Sequence, residues 1–282
     1  MLAILSPAKT LDLQRLRGEL PASTPALMRE SERMMVKAQK LSRRKLRALM
    51  GISQNLAELT WQRHQSFDLP LNSDNAHRAA LCFAGDVYFG LDAKTITDDR
   101  FAWSQQHMAI LSGLYGILRP LDLMQPYRLE MGVKVPSRRG KSLYDYWGDS
   151  VTKHINTVTE SHVDRTVINL ASKEYASVVR PKKLKGRFVT MAFKEIKPPP
   201  TGPQMIGVVA KRTRGKMARW LIDNKIERLE DARGFDVDGY AYDPALSTED
   251  VWCFSRLHVE GRMVAEFQAR KLRDTQAAAL AK

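Results

Sequence analysis

Six polar side chains, most of them just past a predicted apolar strand, could meet in one pocket. They are Lys9, Tyr127, Arg128, Glu130, Asn169 and Glu174. A lysine in a partly apolar site can act as a base or a nucleophile, and an arginine suits bidentate binding of phosphate or carboxylate. Glu130 or Glu174 would supply the complementary acid–base group. These residues are consistent with an enzyme that acts on a phosphorylated or nucleotide-like small molecule around Lys9, Arg128 and Glu130. They are equally consistent with buried ion pairs and loop-fixing hydrogen bonds.

The positive charge of the chain is concentrated in two segments. The 282 residues include 45 Lys and Arg against 31 Asp and Glu, a net charge of +14. Residues 131–220 hold 19 basic and 6 acidic side chains, and residues 1–70 hold 12 and 6. Like charges this close repel one another, and a polyanion relieves that repulsion while releasing its own counterions. The distribution favours nucleic acid or another polyphosphate as the partner, with a well-solvated surface as the alternative.

One predicted contact surface lies in the more basic segment. Its members are Lys182, Lys183, Lys185, Lys211, Arg212, Arg214, Lys216 and Arg219. If a helix begins near Lys211, then Arg212, Lys216 and Arg219 fall on one of its faces. Phosphate contacts of this kind fix position without reading bases, so we expect little sequence specificity.

The sequence lacks the signatures of familiar cofactor enzymes. It contains no Gly-x-x-x-x-Gly-Lys-Ser/Thr loop and no Gly-x-Gly-x-x-Gly fingerprint. Its six histidines form no i,i+4 pair, and its two cysteines cannot form a disulfide framework. No apolar stretch approaches the length of a membrane-spanning helix. We therefore expect a cytoplasmic protein with no cofactor, metal or membrane partner.

Hydrophobic periodicity and helix caps predict a mixed α/β (α+β) fold. The predicted strands are Leu2–Leu5, Leu81–Phe83, Met108–Leu111, Thr166–Leu170, Arg187–Phe193, Gln204–Ala210 and Val251–Arg256. The predicted helices are Pro25–Leu41, Arg43–Met50, a helix capped by Ser53, a short helix capped by Ser172, Lys216–Asn224 and Met263–Leu280. No regular alternation of strand and helix emerges, which argues against a Rossmann-like sheet. No linker divides the chain, so residues 1–282 are expected to form one compact domain.

Several longer motifs occur in a fixed order along the chain. They are Ser6-Pro7-Ala8-Lys9-Thr10, Leu111-Ser112-Gly113-Leu114-Tyr115-Gly116, Pro126-Tyr127-Arg128-Leu129-Glu130-Met131-Gly132 and Ala210-Lys211-x-x-Arg214-Gly215. With these motifs the chain resembles the YaaA family of bacterial peroxide-stress proteins over roughly residues 1–260. The resemblance implies a cytosolic protein that limits peroxide- and iron-driven damage and binds DNA. It also implies a family-specific fold with a basic cleft and a helix-hairpin-helix element.

Residues 42–66 are the segment that best fits such an element. A helix-hairpin-helix joins two short helices by a glycine-containing turn whose amides point at one phosphate. Gly51 is the turn glycine, and Ser53 stands where a second glycine is usual. The polar residues that flank the turn are Arg43, Arg44, Lys45, Arg47, Gln54 and Asn55. An ordinary helical hairpin with solvated arginines is the alternative.

Together these observations predict a protein that binds duplex or branched DNA through backbone contacts and protects it during peroxide stress. An enzyme built around Lys9, Arg128 and Glu130 remains the second hypothesis. No required protein partner is indicated.

Overall fold

The computed structural model describes residues 1–14 and 20–261, and the predicted helix Met263–Leu280 lies outside the described residues. The strands are β1 (Leu2–Leu5), β2 (Thr10–Leu11), β3 (His77–Arg78), β4 (Phe83–Ala84), β5 (Met108–Ser112), β6 (Gly116–Leu118), β7 (Leu123–Met124), β8 (Val167–Asn169), β9 (Phe188–Lys197), β10 (Gly202–Gln204), β11 (Ala241–Tyr242) and β12 (Val251–Leu257).

The α-helices surround these strands. They are α1 (Met28–Gln39), α2 (Arg43–Met50), α3 (Gln54–Gln65), α4 (Ala79–Cys82), α5 (Asp86–Leu91), α6 (Asp98–His107), α7 (Leu143–Trp147), α8 (Ser150–Val158), α9 (Lys173–Ala176) and α10 (Gly207–Asp223). Short 3₁₀ helices cover Ala93–Thr95, Thr159–Ser161, Pro181–Lys183, Leu229–Gly234, Val237–Gly239 and Pro244–Leu246.

The main sheet is largely parallel, in the order β11-β12-β9-β8-β1-β5-β6, with β10 paired to β9. The five strands from β12 to β5 run parallel to one another. Every residue of β1 and β5 is buried, as expected for a parallel sheet covered on both faces. The sequence did not predict this sheet, because residues 6–107 separate β1 from its neighbour β5 and obscure any strand–helix period.

Strand β1 is the point at which the chain changes direction across the sheet. From β1 the chain continues to β5 on one side, whereas β8, on the other side, leads to β9. The loops after β1 and β8 therefore leave in opposite directions. Ser6 and Ser172 connect them: the Ser172 amide donates to Ser6 Oγ at 2.8 Å, and Ser6 Oγ donates to Ser172 Oγ at 3.3 Å. Such a divergence opens a crevice at the carboxyl edge of a sheet.

Two predicted strands are wrong. In the predicted strand Leu81–Phe83, residues 81 and 82 belong to helix α4, and only Phe83 lies in a strand, β4. Residues 207–210 of the predicted strand Gln204–Ala210 begin α10. Both are short apolar runs, which periodicity alone cannot assign to strand or helix. In α10 the buried positions continue at helical spacing through Thr213 and Met217, which shows that packing decided the conformation.

The buried apolar side chains form one continuous core, so the described residues make a single mixed α/β domain, as predicted. Within the described ranges, no helix has the length and hydropathy needed to cross a membrane.

Candidate functional site

The turn between α2 and α3, residues 51–53, has the local geometry that its sequence predicts. Ser42 caps α2, and its Oγ accepts from the Lys45 amide at 3.3 Å. Gly51 ends α2 in the left-handed region, with φ of 61°. Ser53 caps α3, and its Oγ accepts from the Leu56 amide at 3.3 Å. Ser53 has φ of −64°, so this position does not require glycine.

The α2–α3 turn projects into solvent from a small apolar base. Leu46, Ile52 and Ala57 are buried, whereas Gly51 and Ser53 are exposed. The first amides of α3 have no acceptor within the helix, as at every helix N-terminus. Their partial positive charge, in an exposed position, is suited to binding a phosphate.

Four exposed cations lie on α2, the helix that leads into this turn. Arg43 pairs with Glu58 and lies over the Trp61 ring, its Cζ 3.6 Å from the ring centroid. Arg44, Lys45 and Arg47 have no ion-pair partner among the described residues. Residues 43–57 contain no Asp or Glu at all. The charge at the α2–α3 turn is therefore largely uncompensated.

The Lys182–Lys185 stretch is exposed, but most of its charge is paired. Lys183 forms an ion pair with Asp149, and Lys185 Nζ lies 3.6 Å from Glu160. Both carboxylates belong to the segment that contains α8. Lys182 is exposed and is the third lysine of this stretch.

The predicted basic face of α10 exists, but it contacts neighbouring elements. Arg212 Nη2 lies 3.6 Å from Asp86, and Lys216 pairs with Asp238. Arg219 donates to Asp223 at 2.7 Å and to Thr95 Oγ1 at 2.6 Å. Because these three side chains bind protein groups, they are poorly placed to form a continuous track for a phosphate backbone.

The other two α10 cations differ from each other. Lys211 is exposed, whereas burial lowers the pKa of the Arg214 guanidinium. The structure thus places the predicted DNA-contacting residues in three settings: an uncompensated turn, a partly paired stretch and a largely paired helix face.

Lys9, Arg128 and Glu130 are in contact, as the sequence motif suggested. Glu130 Oε1 lies 3.0 Å from Arg128 Nη2 and 3.5 Å from Lys9 Nζ. The Glu130 and Arg128 side chains are mostly buried, whereas the Lys9 side chain is 68% exposed. A lysine in water beside a carboxylate is a cation suited to ion binding, not the desolvated nucleophile considered from sequence. We call these three residues the switch-point cluster.

Two other candidates border this cluster without joining its ion pairs. Glu174 Oε1 accepts from the Gly132 amide at 2.9 Å, which fixes the backbone next to Glu130. Tyr127 Oη lies 2.6 Å from Ser112 Oγ, and burial raises the pKa of this phenol. Tyr127 is therefore a neutral hydrogen-bonding group at neutral pH.

Asn169 lies apart from the cluster. Its amide oxygen accepts from the Ala171 backbone at 2.9 Å, and its nitrogen donates to Thr190 Oγ1 at 3.1 Å. These bonds shape the loop after β8, so Asn169 has a structural role. Sequence reasoning missed Arg63, whose pKa is lowered mainly by burial and also by the nearby Arg128 guanidinium. A lone arginine on a helix carries no motif that would have identified it.

Comparison with known proteins gives one family. The family described as Peroxide stress protein YaaA matches residues 1–246. Two proteins from strains of Caulobacter vibrioides, each called a UPF0246 protein, are 43% identical to the chain over 258 residues. The matched region covers 91% of this chain and 99% of each relative. The family match over residues 1–246 includes both the α2–α3 turn and the switch-point cluster.

Proposed function

The chain belongs to the peroxide stress protein YaaA family, and we propose that it serves this response by binding DNA through phosphate contacts at the α2–α3 turn. Bound in this way, it would protect DNA from peroxide- and iron-driven damage. The helix-hairpin-helix assignment of residues 42–66 is part of this proposal.

The observation that supports the proposal is the uncompensated charge of one exposed turn. The amides at the start of α3 follow Ser53, and the exposed cations Arg44, Lys45 and Arg47 lie on α2, the helix that leads into the same turn. Ser53 Oγ caps only the Leu56 amide, which leaves the Gln54 and Asn55 amides without an acceptor in the helix, beside a helix that carries unpaired cations. A backbone phosphate satisfies both at once.

This kind of contact favours binding without sequence preference. Backbone amides and arginines that hold phosphates position a protein on the duplex but read no base edge. Each neutralised phosphate steepens the log–log salt dependence of affinity by about 0.9. We therefore expect similar affinity for unrelated duplex sequences and a clear loss of affinity as salt rises.

A charge-matched pair of variants tests the proposal. Arg44→Gln/Arg47→Gln removes two unpaired cations from the turn. Lys94→Gln/Lys225→Gln removes two cations that pair with Asp12 and Asp99 elsewhere. Fluorescence anisotropy with a labelled duplex at several salt concentrations measures both affinity and salt slope.

The turn variant should weaken binding by about tenfold or more and flatten the salt slope by about 2, roughly one for each lost phosphate contact. The control variant should change both quantities little. Equal losses in the two variants would mean that net charge alone, not the turn, drives binding.

A backbone variant tests the turn without changing charge. An added Cβ at Gly51 meets nothing within 4 Å, so Gly51→Val strains only the left-handed conformation. We expect weaker duplex binding by a protein that remains folded. Unchanged affinity in folded Gly51→Val would remove the turn from the binding surface.

The Lys182–Lys185 stretch and the α10 face are the second predicted surface. Five of these cations must leave a carboxylate before they can contact phosphate: Lys183, Lys185, Arg212, Lys216 and Arg219. We therefore assign them a smaller contribution, and alanine at Lys182 and Lys183 should weaken duplex binding less than the turn variant does.

A further inference from the structure

The switch-point cluster lies where open α/β sheets hold small ligands. Lys9 follows β1, Glu174 follows β8, and the loops after these two strands diverge. Ligands of such sheets bind in the crevice outside the carboxyl ends of the strands at this point. We propose that the cluster of Lys9, Arg128 and Glu130 is a binding site for a nucleoside monophosphate. This site is separate from the α2–α3 turn, and the inference does not depend on the proposed function.

Two buried polar atoms define what the ligand must supply. Arg128 Nε and Glu130 Oε2 have no hydrogen-bond partner among the described residues, although Arg128 Nη2 and Glu130 Oε1 bind each other. Leaving a buried donor or acceptor unpaired costs about 1–3 kcal/mol, and more for a charged group. Both atoms are closed to solvent, so a ligand reaches them only when the Arg128 and Glu130 side chains turn outward, and it must then bring an acceptor for Arg128 and a donor for Glu130.

An amide-like edge meets this requirement. The Watson–Crick and Hoogsteen edges of nucleobases place donors beside acceptors, whereas inorganic phosphate near neutral pH is mainly an acceptor. The pairing of one arginine nitrogen with one carboxylate oxygen is therefore better matched to a base than to a simple anion.

The rim of the cluster supplies a site for an anionic group. Lys9 contacts Glu130 Oε1 with its ammonium, yet most of its side chain is in solvent. A second anion can approach the exposed side of this ammonium without displacing the carboxylate. A base edge at Arg128 and Glu130, with a phosphate at Lys9, describes a nucleoside monophosphate.

The nucleotide could be free or could belong to a DNA strand. Arg63, near Arg128, lies on α3, the helix that begins at the α2–α3 turn. Gln54 and Arg63 are nine residues apart, so about 14 Å of helix separates the turn from this region. The same chemistry therefore applies to a free nucleotide and to one held in a strand, and the experiment separates them.

Isothermal titration of the full-length protein with dAMP, dGMP, dCMP and dTMP tests the site. Deoxyadenosine and inorganic phosphate are the partial ligands. We expect saturable binding of at least one monophosphate and binding at least tenfold weaker for either partial ligand. Inorganic phosphate that binds as tightly as the best nucleotide would overturn the proposal, as would the absence of saturable nucleotide binding.

Variants assign the binding to these residues. Glu130→Gln keeps the shape of the side chain but replaces one of its two carboxylate oxygens, both acceptors, with an amide nitrogen, which is a donor. It should weaken nucleotide binding at least tenfold. Lys9→Met, at an exposed position that leaves folding intact, should reduce monophosphate affinity severalfold and leave the weak binding of the nucleoside unchanged. Lys94→Met removes the same charge elsewhere and should change neither. Normal nucleotide affinity in Lys9→Met and Glu130→Gln would overturn the assignment.

The turn variant Arg44→Gln/Arg47→Gln separates this inference from DNA binding. Nucleotide affinity should be unchanged in it, even if duplex affinity falls. The same variant, loaded with monophosphate, is then titrated with a single-stranded dodecanucleotide. If the strand displaces the monophosphate, the natural ligand is a nucleotide within a strand. If it does not, the natural ligand is a free nucleotide. Loss of nucleotide binding in the turn variant would contradict a separate site.

Discussion

The carbonyl oxygen of Val87 occupies the space that a side chain on Gly215 would need. A Cβ built on Gly215 would lie 1.8 Å from this oxygen, far inside any real contact. At the same crossing, a Cβ on Gly90 would lie 2.1 Å from the Arg212 carbonyl oxygen. Helices α5 and α10 thus touch backbone to backbone. This contact holds the basic face of α10 against Asp86 and the residues that follow α5.

The first prediction concerns this helix crossing. Gly215→Ala should force the helices apart and lower the free energy of unfolding by about 3 kcal/mol, the upper end of what overpacked cores commonly lose. Gly207→Ala is the matched control, because it lies at the start of the same helix with nothing within 4 Å of its Cβ. Urea unfolding of both variants measures the difference. Equal stability of the two would show that the crossing is looser than described.

The second prediction concerns the buried pair Glu195 and Arg256. These residues are register neighbours on β9 and β12, and Arg256 donates to Glu195 Oε1 at 2.9 Å from Nε and 2.6 Å from Nη2. Arg256→Met would leave the buried carboxylate without its guanidinium and with His258 Nδ1, which binds Oε2, as its remaining partner among the described residues. Breaking a buried pair costs about 3–5 kcal/mol. Glu195→Leu/Arg256→Met should recover most of this loss. A double variant as unstable as the single one would argue against an electrostatic cause.

The third prediction concerns pH. Burial lowers the pKa of His64 to about 4, below the roughly 6.5 of an unfolded chain. Between these values the unfolded chain binds a proton that the folded protein does not. Stability present above about pH 6.5 is therefore lost as the pH falls towards 4, by about 3 kcal/mol from this residue. The free energy of unfolding should fall less between pH 7 and pH 4.5 in His64→Leu than in the natural sequence. An equal fall in the two proteins would refute a role of His64 in this pH dependence.

The fourth prediction concerns peroxide itself. Burial raises the pKa of the Cys82 thiol to about 12 and also raises that of Cys253, and both cysteines are buried. Because the thiolate is the form that reacts, neither should form sulfenic acid in the folded protein. Mass spectrometry after hydrogen peroxide and a sulfenic-acid trap should detect modification only after urea unfolding. A trapped adduct on the native protein would instead indicate a thiol-based peroxide response.

Local chemistry allowed the α2–α3 turn to be predicted almost completely. Helix α2 has the predicted bounds, and Ser42, Gly51 and Ser53 occupy the predicted cap and turn positions. Such features depend on residues three or four positions apart, so a single sequence contains them. Ser172 shows the limit of this reasoning: it occupies the predicted N-cap position of α9, but its side chain binds Ser6 instead of capping the helix.

By itself the sequence determined the mixed α/β class, the central strands, the charge distribution and the family motifs. Tertiary structure decided which cations are uncompensated, because the carboxylates that pair with Lys183, Lys185 and Arg212 lie far away along the chain. It also decided that the loops after β1 and β8 diverge around Lys9 and Glu174. The place of β1 between β5 and β8 depends on contacts between residues more than a hundred positions apart, and no local pattern of charge or hydrophobicity specifies them.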